Sequence, residues 1–327
     1  MTQAPAPTYA DVVAARDRVA TTAQRTPLVE AESLSALLGA SVHLKLESLQ
    51  PTGSFKVRGA ANRLQALTPE QRARGVVTVS TGNHGRAVAY VGGRLGVPVT
   101  VCISELVPAN KVAALRASGA ELVIAGVSQD EAAEHAAALE LERGLTLVHP
   151  FDDPLVIAGQ GTLALELLEQ LPELDTVLVP LSGGGLVSGV ALALKSARPE
   201  VRVVAVSAAA TPVMLRSVEA GAPVELAEVR TLADSLGGGI GAANRFTLRL
   251  VRELVDEHVA VSEEQIGEAM AHLLMEERLV VEGAAAVGVA ALLGGQVRLG
   301  RRAAVVISGR NVDVEVLLRL ASGAGRK

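Results

Sequence analysis

The chain has 327 residues, 49% of them apolar and 20% charged, with 32 Gly, 14 Pro and a formal net charge of −5. That composition can bury a large core in about two domains, and it excludes a disordered tail protein. An excess of acids leaves no electrostatic footprint for DNA, RNA or an anionic membrane, and with no Trp, 2 Tyr and 3 Phe the chain has no base-stacking platform.

The single cysteine, Cys102, rules out an internal disulfide and a cysteine-rich zinc site. Met1 to Tyr9 has no basic stretch followed by an apolar run, so a signal peptide is not expected. The best apolar candidate, Leu279 to Leu293, is interrupted by Glu282 and falls short of the roughly 18 residues that read as a spanning helix. The expectation is a soluble, cytoplasmic α/β protein with no nucleic-acid or membrane partner.

Along the chain, short Val/Ile/Thr-rich runs alternate with longer helical patterns. Val76 to Val79 reads as a strand, His84 to Leu95 as a helix, Val97 to Ile103 as a strand and Pro108 to Ser118 as a helix. Leu122 to Ala125 is a further strand, followed by a helix from Glu131 to Arg143. Strand, helix, strand at this spacing marks a parallel sheet with right-handed crossovers. Leu145 to Val148, Val177 to Pro180, Val201 to Val206 and Ala303 to Ile307 are near-continuous apolar runs, as in strands buried on both faces. Helical stretches lie at Leu155 to Leu171, Leu186 to Ser196 and Val213 to Ala220. Ser262 and Gln265 form a capping box ahead of a helix from Gln265 to Arg278, and Ala220 to Ser235 reads as a surface excursion. No Ser/Gly linker separates domains, so the chain is expected to cross the boundary twice.

Four stretches can carry chemistry. In Pro51-Thr52-Gly53-Ser54-Phe55-Lys56-Val57-Arg58-Gly59-Ala60, a turn delivers a lysine beside a rare Phe. A lysine against apolar surface loses solvation of its charged form, its pKa falls, and its amine can form a Schiff base. Taken alone, such a lysine is more often a solvated residue at a helix N-terminus. Ser80-Thr81-Gly82-Asn83-His84-Gly85 follows a strand and opens a helix, a place where N–H groups gather an anion; alone it is more often an ordinary cap. Ser182-Gly183-Gly184-Gly185-Leu186 is a strand-to-helix turn whose glycines let a phosphate approach the backbone, or let elements pack closely. Its spacing fits neither the dinucleotide nor the Walker pattern. Ser308-Gly309-Arg310-Asn311 follows the last strand, on the rim where open sheets bind ligands, although a serine there is usually only a turn residue. Together these supply an amine, a carboxylate cradle, a phosphate cradle and a rim hydroxyl, a set that suits pyridoxal phosphate.

On these residues the sequence resembles the threonine dehydratase/serine racemase group of pyridoxal-phosphate enzymes, with the tryptophan-synthase-β-like fold (fold type II). The motifs that carry the resemblance are Gly53-Ser54-Phe55-Lys56, Gly82-Asn83-His84-Gly85, Ile157-Ala158-Gly159-Gln160-Gly161-Thr162 and Gly183-Gly184-Gly185-Leu186, within a match from Arg25-Thr26-Pro27-Leu28 to Ser308-Gly309-Arg310-Asn311. The resemblance implies two open, parallel, twisted sheets flanked by helices. It implies a large cofactor-binding domain of residues 1–46 plus 147–327, with a small domain of residues 47–146 inserted.

Lys56 is then the residue that carries the cofactor, with Phe55 near the ring and Asn83 on the ring hydroxyl. Ser182, Gly183, Gly184, Gly185 and Leu186 hold the phosphate, Ser182 standing where the group usually has a first glycine. Ser308 faces the pyridine nitrogen. Ser80, Thr81, Asn83 and His84 bind the substrate carboxylate, and Lys56 and Thr81 are the catalytic pair. The implied reaction is Cα deprotonation, loss of a β-hydroxyl and release of a keto acid and ammonia. Threonine at position 81, where racemases of the group carry serine, favours elimination over racemisation. Ser207 and Val213 stand where metal-binding members carry acidic residues, so no divalent metal site is expected.

The segment Leu232 to Gly241, with Asn244-Arg245-Phe246 and Arg310, resembles a hydroxyectoine-utilisation dehydratase subgroup, which implies a hydroxyectoine-derived substrate. The alternatives are a serine or threonine racemase, and a non-catalytic binder of an amino acid or phosphate. A small-molecule amino-acid substrate and a homodimer or higher homo-oligomer complete the expectation.

Overall fold

The structure is a computed structural model, and it describes residues 5–324 apart from 81, 106, 108 and 228. Helices begin where side chains can take up the free N–H groups of a first turn. Thr8 and Asp11 form a capping box at α1 (Tyr9–Ala20). The chain continues through β1 (Leu28–Glu30), α2 (Glu32–Leu38), β2 (Ser41–Lys45), α3 (Lys56–Gln65), α4 (Pro69–Arg74), β3 (Val76–Val79) and α5 (Asn83–Leu95). Next come β4 (Val99–Ile103), α6 (Ala109–Arg116), β5 (Glu121–Ile124), α7 (Gln129–Arg143), β6 (Thr146–Leu147) and α8 (Pro154–Gln170). They are followed by β7 (Thr176–Pro180), α9 (Gly185–Ala197), β8 (Arg202–Ala208), α10 (Val213–Ala220) and α11 (Thr247–Leu254). The last elements are β9 (Glu257–Val261), α12 (Glu263–Met275), α13 (Gly283–Leu293), β10 (Arg302–Val306) and α14 (Val314–Ala324).

The strands form two sheets, one in the order β5-β4-β3-β6 and one in the order β1-β2-β10-β7-β8-β9. The four-stranded sheet is parallel throughout. The six-stranded sheet is parallel except at its edge, where β1 runs antiparallel to β2. The expectation of wholly parallel sheets is therefore corrected at that edge. The α2 connection is too short for a parallel crossover, which takes about a dozen residues or more. The four-stranded sheet also extends one residue past position 146, because Leu147 pairs with Val77.

Several expected elements are offset for local reasons. The strand expected from Val97 begins at Val99, since Pro98 has no amide hydrogen to give a ladder. The helix expected over Gln265 to Arg278 is α12, and its N-cap Ser262 places the first turn at Glu263. It ends before Arg278, whose φ is +59°. The core is built from Val, Leu, Ile and Ala on both faces of both sheets.

Three helices meet closely behind the site. A Cβ on Gly189 of α9 would fall 2.3 Å from the Ile157 carbonyl of α8, and one on Gly159 of α8 would fall 2.6 Å from the Arg58 carbonyl of α3. The motif Ile157 to Thr162 is thus a helix-packing face, not a ligand loop.

Candidate active site

Lys56 opens α3 because the residues before it are pinned to the end of β10. The Gly53 amide donates to the Gln50 carbonyl at 2.7 Å, and the Phe55 amide donates to the Ser308 carbonyl at 3.0 Å. Ser54 and Gly309 form an isolated antiparallel bridge. Gly53, at φ +75°, lies so near Asn311 that a Cβ would stand 2.7 Å from its Oδ1. The turn thereby delivers Lys56 to the carboxyl-end rim of a parallel sheet.

The Lys56 ammonium donates to the Pro150 carbonyl at 2.8 Å and lies 5.3 Å from the Phe55 ring centroid. Burial pushes its pKa down to about 8, and the Glu282 carboxylate opposes that shift. The amine is therefore partly neutral, and nucleophilic, at physiological pH.

The glycine turn is fastened beside this lysine. Phe151 follows Pro150, and its ring fills the space a Cβ on Gly183 would need, 2.3 Å away. Its backbone does the same at Gly185, at 2.9 Å. Gly184, at φ +86°, is the N-cap of α9 and makes no side-chain cap, so the first-turn N–H groups have no side-chain acceptor. Gly183, Gly184, Gly185 and Leu186 are buried and Ser182 is half-buried. Bare amides at the positive end of a long helix are a phosphate cradle.

Asn83 and His84 begin α5, which also lacks a side-chain cap. The Asn83 amide donates to Glu282 Oε1 at 2.8 Å and accepts from Asn311 Nδ2 at 2.5 Å, which leaves it one N–H. His84 is 3% exposed, and burial, with the Lys56 charge second, pushes its pKa down to about 3. The ring is neutral, so its Nε2–H donates to the Val148 carbonyl at 3.0 Å. Nδ1 keeps an unpartnered lone pair. The ring thus brings no cation and no free donor to a carboxylate, which leaves the backbone N–H of His84 as the group that can serve one.

Ser80 is half-buried, and its Oγ accepts from the Gly82 amide at 3.3 Å. Thr81 lies outside the described residues. Ser308 is 3% exposed at the end of β10. Ser207 Oγ donates to the Leu181 carbonyl at 2.8 Å, and Val213 opens α10. No group of three or more His, Cys, Asp or Glu side chains able to hold a metal occurs among the described residues.

The residues fit pyridoxal phosphate. A nucleophilic amine and an uncapped helix start are joined through Pro150 and Phe151, and the buried polar atoms Ser54 Oγ and His84 Nδ1 have no protein partner.

Two features escaped the sequence. Glu282, 3% exposed, bonds Asn83 at the start of α5. The only sign of it was one charge inside an apolar run. Arg58, 1% exposed, donates to Glu47 twice at 2.7 Å and to Glu166 at 2.7 and 3.0 Å. Glu166 also receives a bond from the buried Lys45 amine. This network anchors α3, and hence Lys56, to α8 and to the turn after β2.

Comparison with known proteins agrees with this geometry. The chain is 42% identical to an L-threonine ammonia-lyase of Thermotoga maritima, over 96% of this chain and 78% of that protein. Its structure is similar to that of maize serine racemase, with TM-score 0.91, 35% identity and 98% of each chain covered. It is also similar to a threonine deaminase of T.th., with TM-score 0.87, 42% identity, and 94% of this chain and 99% of that one covered. Residues 19–309 match the family model described as "Pyridoxal-phosphate dependent enzyme", and the chain belongs to that family.

Proposed function

We propose that this enzyme is a dehydratase of a β-hydroxy amino acid, of the threonine or serine type, with Lys56 as its cofactor-bearing lysine. The observation that carries the assignment is the buried, low-pKa amine held by Pro150 next to the glycine turn. The names of its relatives, ammonia-lyase and deaminase of threonine, support the substrate class.

When bound, the cofactor supplies an electron sink for the charge left at Cα. Lys56 would hold the cofactor through its amine and, once free, would take the Cα proton. The first turn of α9 would hold the phosphate, and the remaining N–H of Asn83 would serve the ring hydroxyl. Ser308 would stand by the ring nitrogen as a weak acid, which favours prompt loss of the β-hydroxyl. The backbone N–H groups opening α5, with Ser80 and Thr81, receive the substrate carboxylate. The leaving hydroxyl takes up a proton and departs as water. Addition of water to the released enamine product then gives a 2-oxo acid and ammonia, with no oxidant or reductant consumed.

The two sheets support a reading as two lobes, residues 1–46 with 147–327 and residues 47–146, with the cleft between them. We take the working assembly to be a homodimer or higher homo-oligomer on general grounds. Among the described residues no helix is long and apolar enough to cross a membrane.

The test is spectroscopic and chemical. The purified enzyme should absorb near about 410–420 nm, and Lys56→Ala should lose that band and all turnover. Retained activity in Lys56→Ala would remove the assignment. L-threonine, L-serine and hydroxyectoine-derived hydroxy amino acids are then compared for oxo-acid and ammonia release. Deuterated D-serine as the main product from L-serine in heavy water would replace the lyase with a racemase.

A further inference from the structure

We propose that Glu282 is a positioning residue of this site: its carboxylate fixes the amide of Asn83. The inference rests on Lys56 being the cofactor lysine.

Glu282 is the N-cap residue of α13, yet its side chain makes no cap bond to that helix. A carboxylate at a helix start ordinarily turns to its own N–H groups. This one turns across the cleft. Oε1 accepts from Asn83 Nδ2 at 2.8 Å and from Ser235 Oγ at 3.4 Å, and Oε2 accepts from the Asn311 amide at 3.1 Å. Gly309 walls it in, since a Cβ there would stand 2.6 Å from Oε1. Asn311 Nδ2 meets the other end of the Asn83 amide, so the amide cannot flip without losing both partners.

The charged and titratable groups around Glu282 come from every neighbouring element. Asp234 acts from the turn before Leu236, Lys56 from α3, and Arg86 of α5 reaches Asn311 at 3.3 Å. His84 is neutral throughout the working range. Burial and the Asp234 charge push the Glu282 pKa up to about 7, next to that of Lys56 at about 8. As the pH falls through about 7, Glu282 gains a proton and its hold on Asn83 weakens.

The test uses the holoenzyme and variants at Glu282, Asn83 and Lys56. In wild type, log kcat should rise through an ionisation near about pH 7. Glu282→Gln should remove that ionisation, and Glu282→Asp, which keeps a titratable carboxyl, should restore it. A double-mutant cycle on cofactor affinity separates positioning from a merely structural role. Glu282→Gln should weaken the affinity about tenfold when Asn83 is present and by less than about twofold in an Asn83→Ala background. Equal losses in both backgrounds, or an unchanged pH profile in Glu282→Gln, would overturn the proposal. If neither Glu282 variant folds, the wild-type enzyme decides: cofactor affinity should fall about tenfold from pH 8 to pH 6, and a flat value refutes the idea. A visible band that survives Lys56→Ala defeats the lysine assignment, whereas an unaltered Glu282→Gln profile with the band lost in Lys56→Ala defeats only the role of Glu282.

Discussion

Lys56 and Glu282 are both held where folding opposes their charge. The folded state keeps the Glu282 proton more tightly than the unfolded chain does. The resulting cost is absent in acid and appears as pH rises from the usual carboxylate range through about 7. Lys56 gives up its proton more readily when folded. Its cost is complete below about 8 and is relieved as pH rises from there to the usual lysine range. Both costs coincide between pH 7 and 8, at roughly 1–3 kcal/mol each once solvent screening is allowed for. Cofactor-free Glu282→Gln should therefore melt higher than the cofactor-free parent at pH 8 and close to it at pH 5. Thermal scans at both pH values check this; an equal shift at both would contradict it. Arg58 shows the opposite balance: burial raises the Glu47 pKa, but the Arg58 charge and hydrogen bonds outweigh it and hold that carboxyl below its usual range. Arg58→Met leaves Glu47 buried without its guanidinium partner, and should cost about 3–5 kcal/mol in a denaturant titration.

Among the elements, the Val-rich strands β3, β7 and β10 were legible because burial on both faces leaves a mostly apolar run. β2 and β9 were not. Their letters Ser-Val-His-Leu-Lys and Glu-His-Val-Ala-Val mix polar with apolar. In β2, Lys45 is wholly buried, its amine satisfied by Glu166, Gln170 and the Thr26 carbonyl, partners far away in the chain. Nor do the letters show that Gly159, Gly161 and Gly189 bring α3, α8 and α9 into backbone contact. Gly189→Ala should destabilise the fold by about 1–3 kcal/mol, read as a lower melting temperature. In contrast, Gly184→Ala acts at φ +86° on the start of α9, and should weaken cofactor binding more than it lowers stability.

For the molecule as a whole, the cofactor is expected to bind the folded chain alone, through groups contributed from both sheets. At about 100 times its dissociation constant it should add about 2.7 kcal/mol of stability, seen as a higher melting temperature. In Lys56→Ala that gain should shrink, and an undiminished gain would show that the amine makes no bond to it. The alternating α/β order, the lysine turn and the glycine turn were determined by the sequence alone, because periodicity and turn chemistry are local properties. What only the tertiary structure decided is the company these residues keep. It turned Glu282 away from its own helix toward Asn83, made the His84 ring a neutral hydrogen-bond donor, and reversed β1 at the sheet edge. Burial and partners from distant segments set those outcomes, since they determine which charges keep their solvation and which polar groups find a mate.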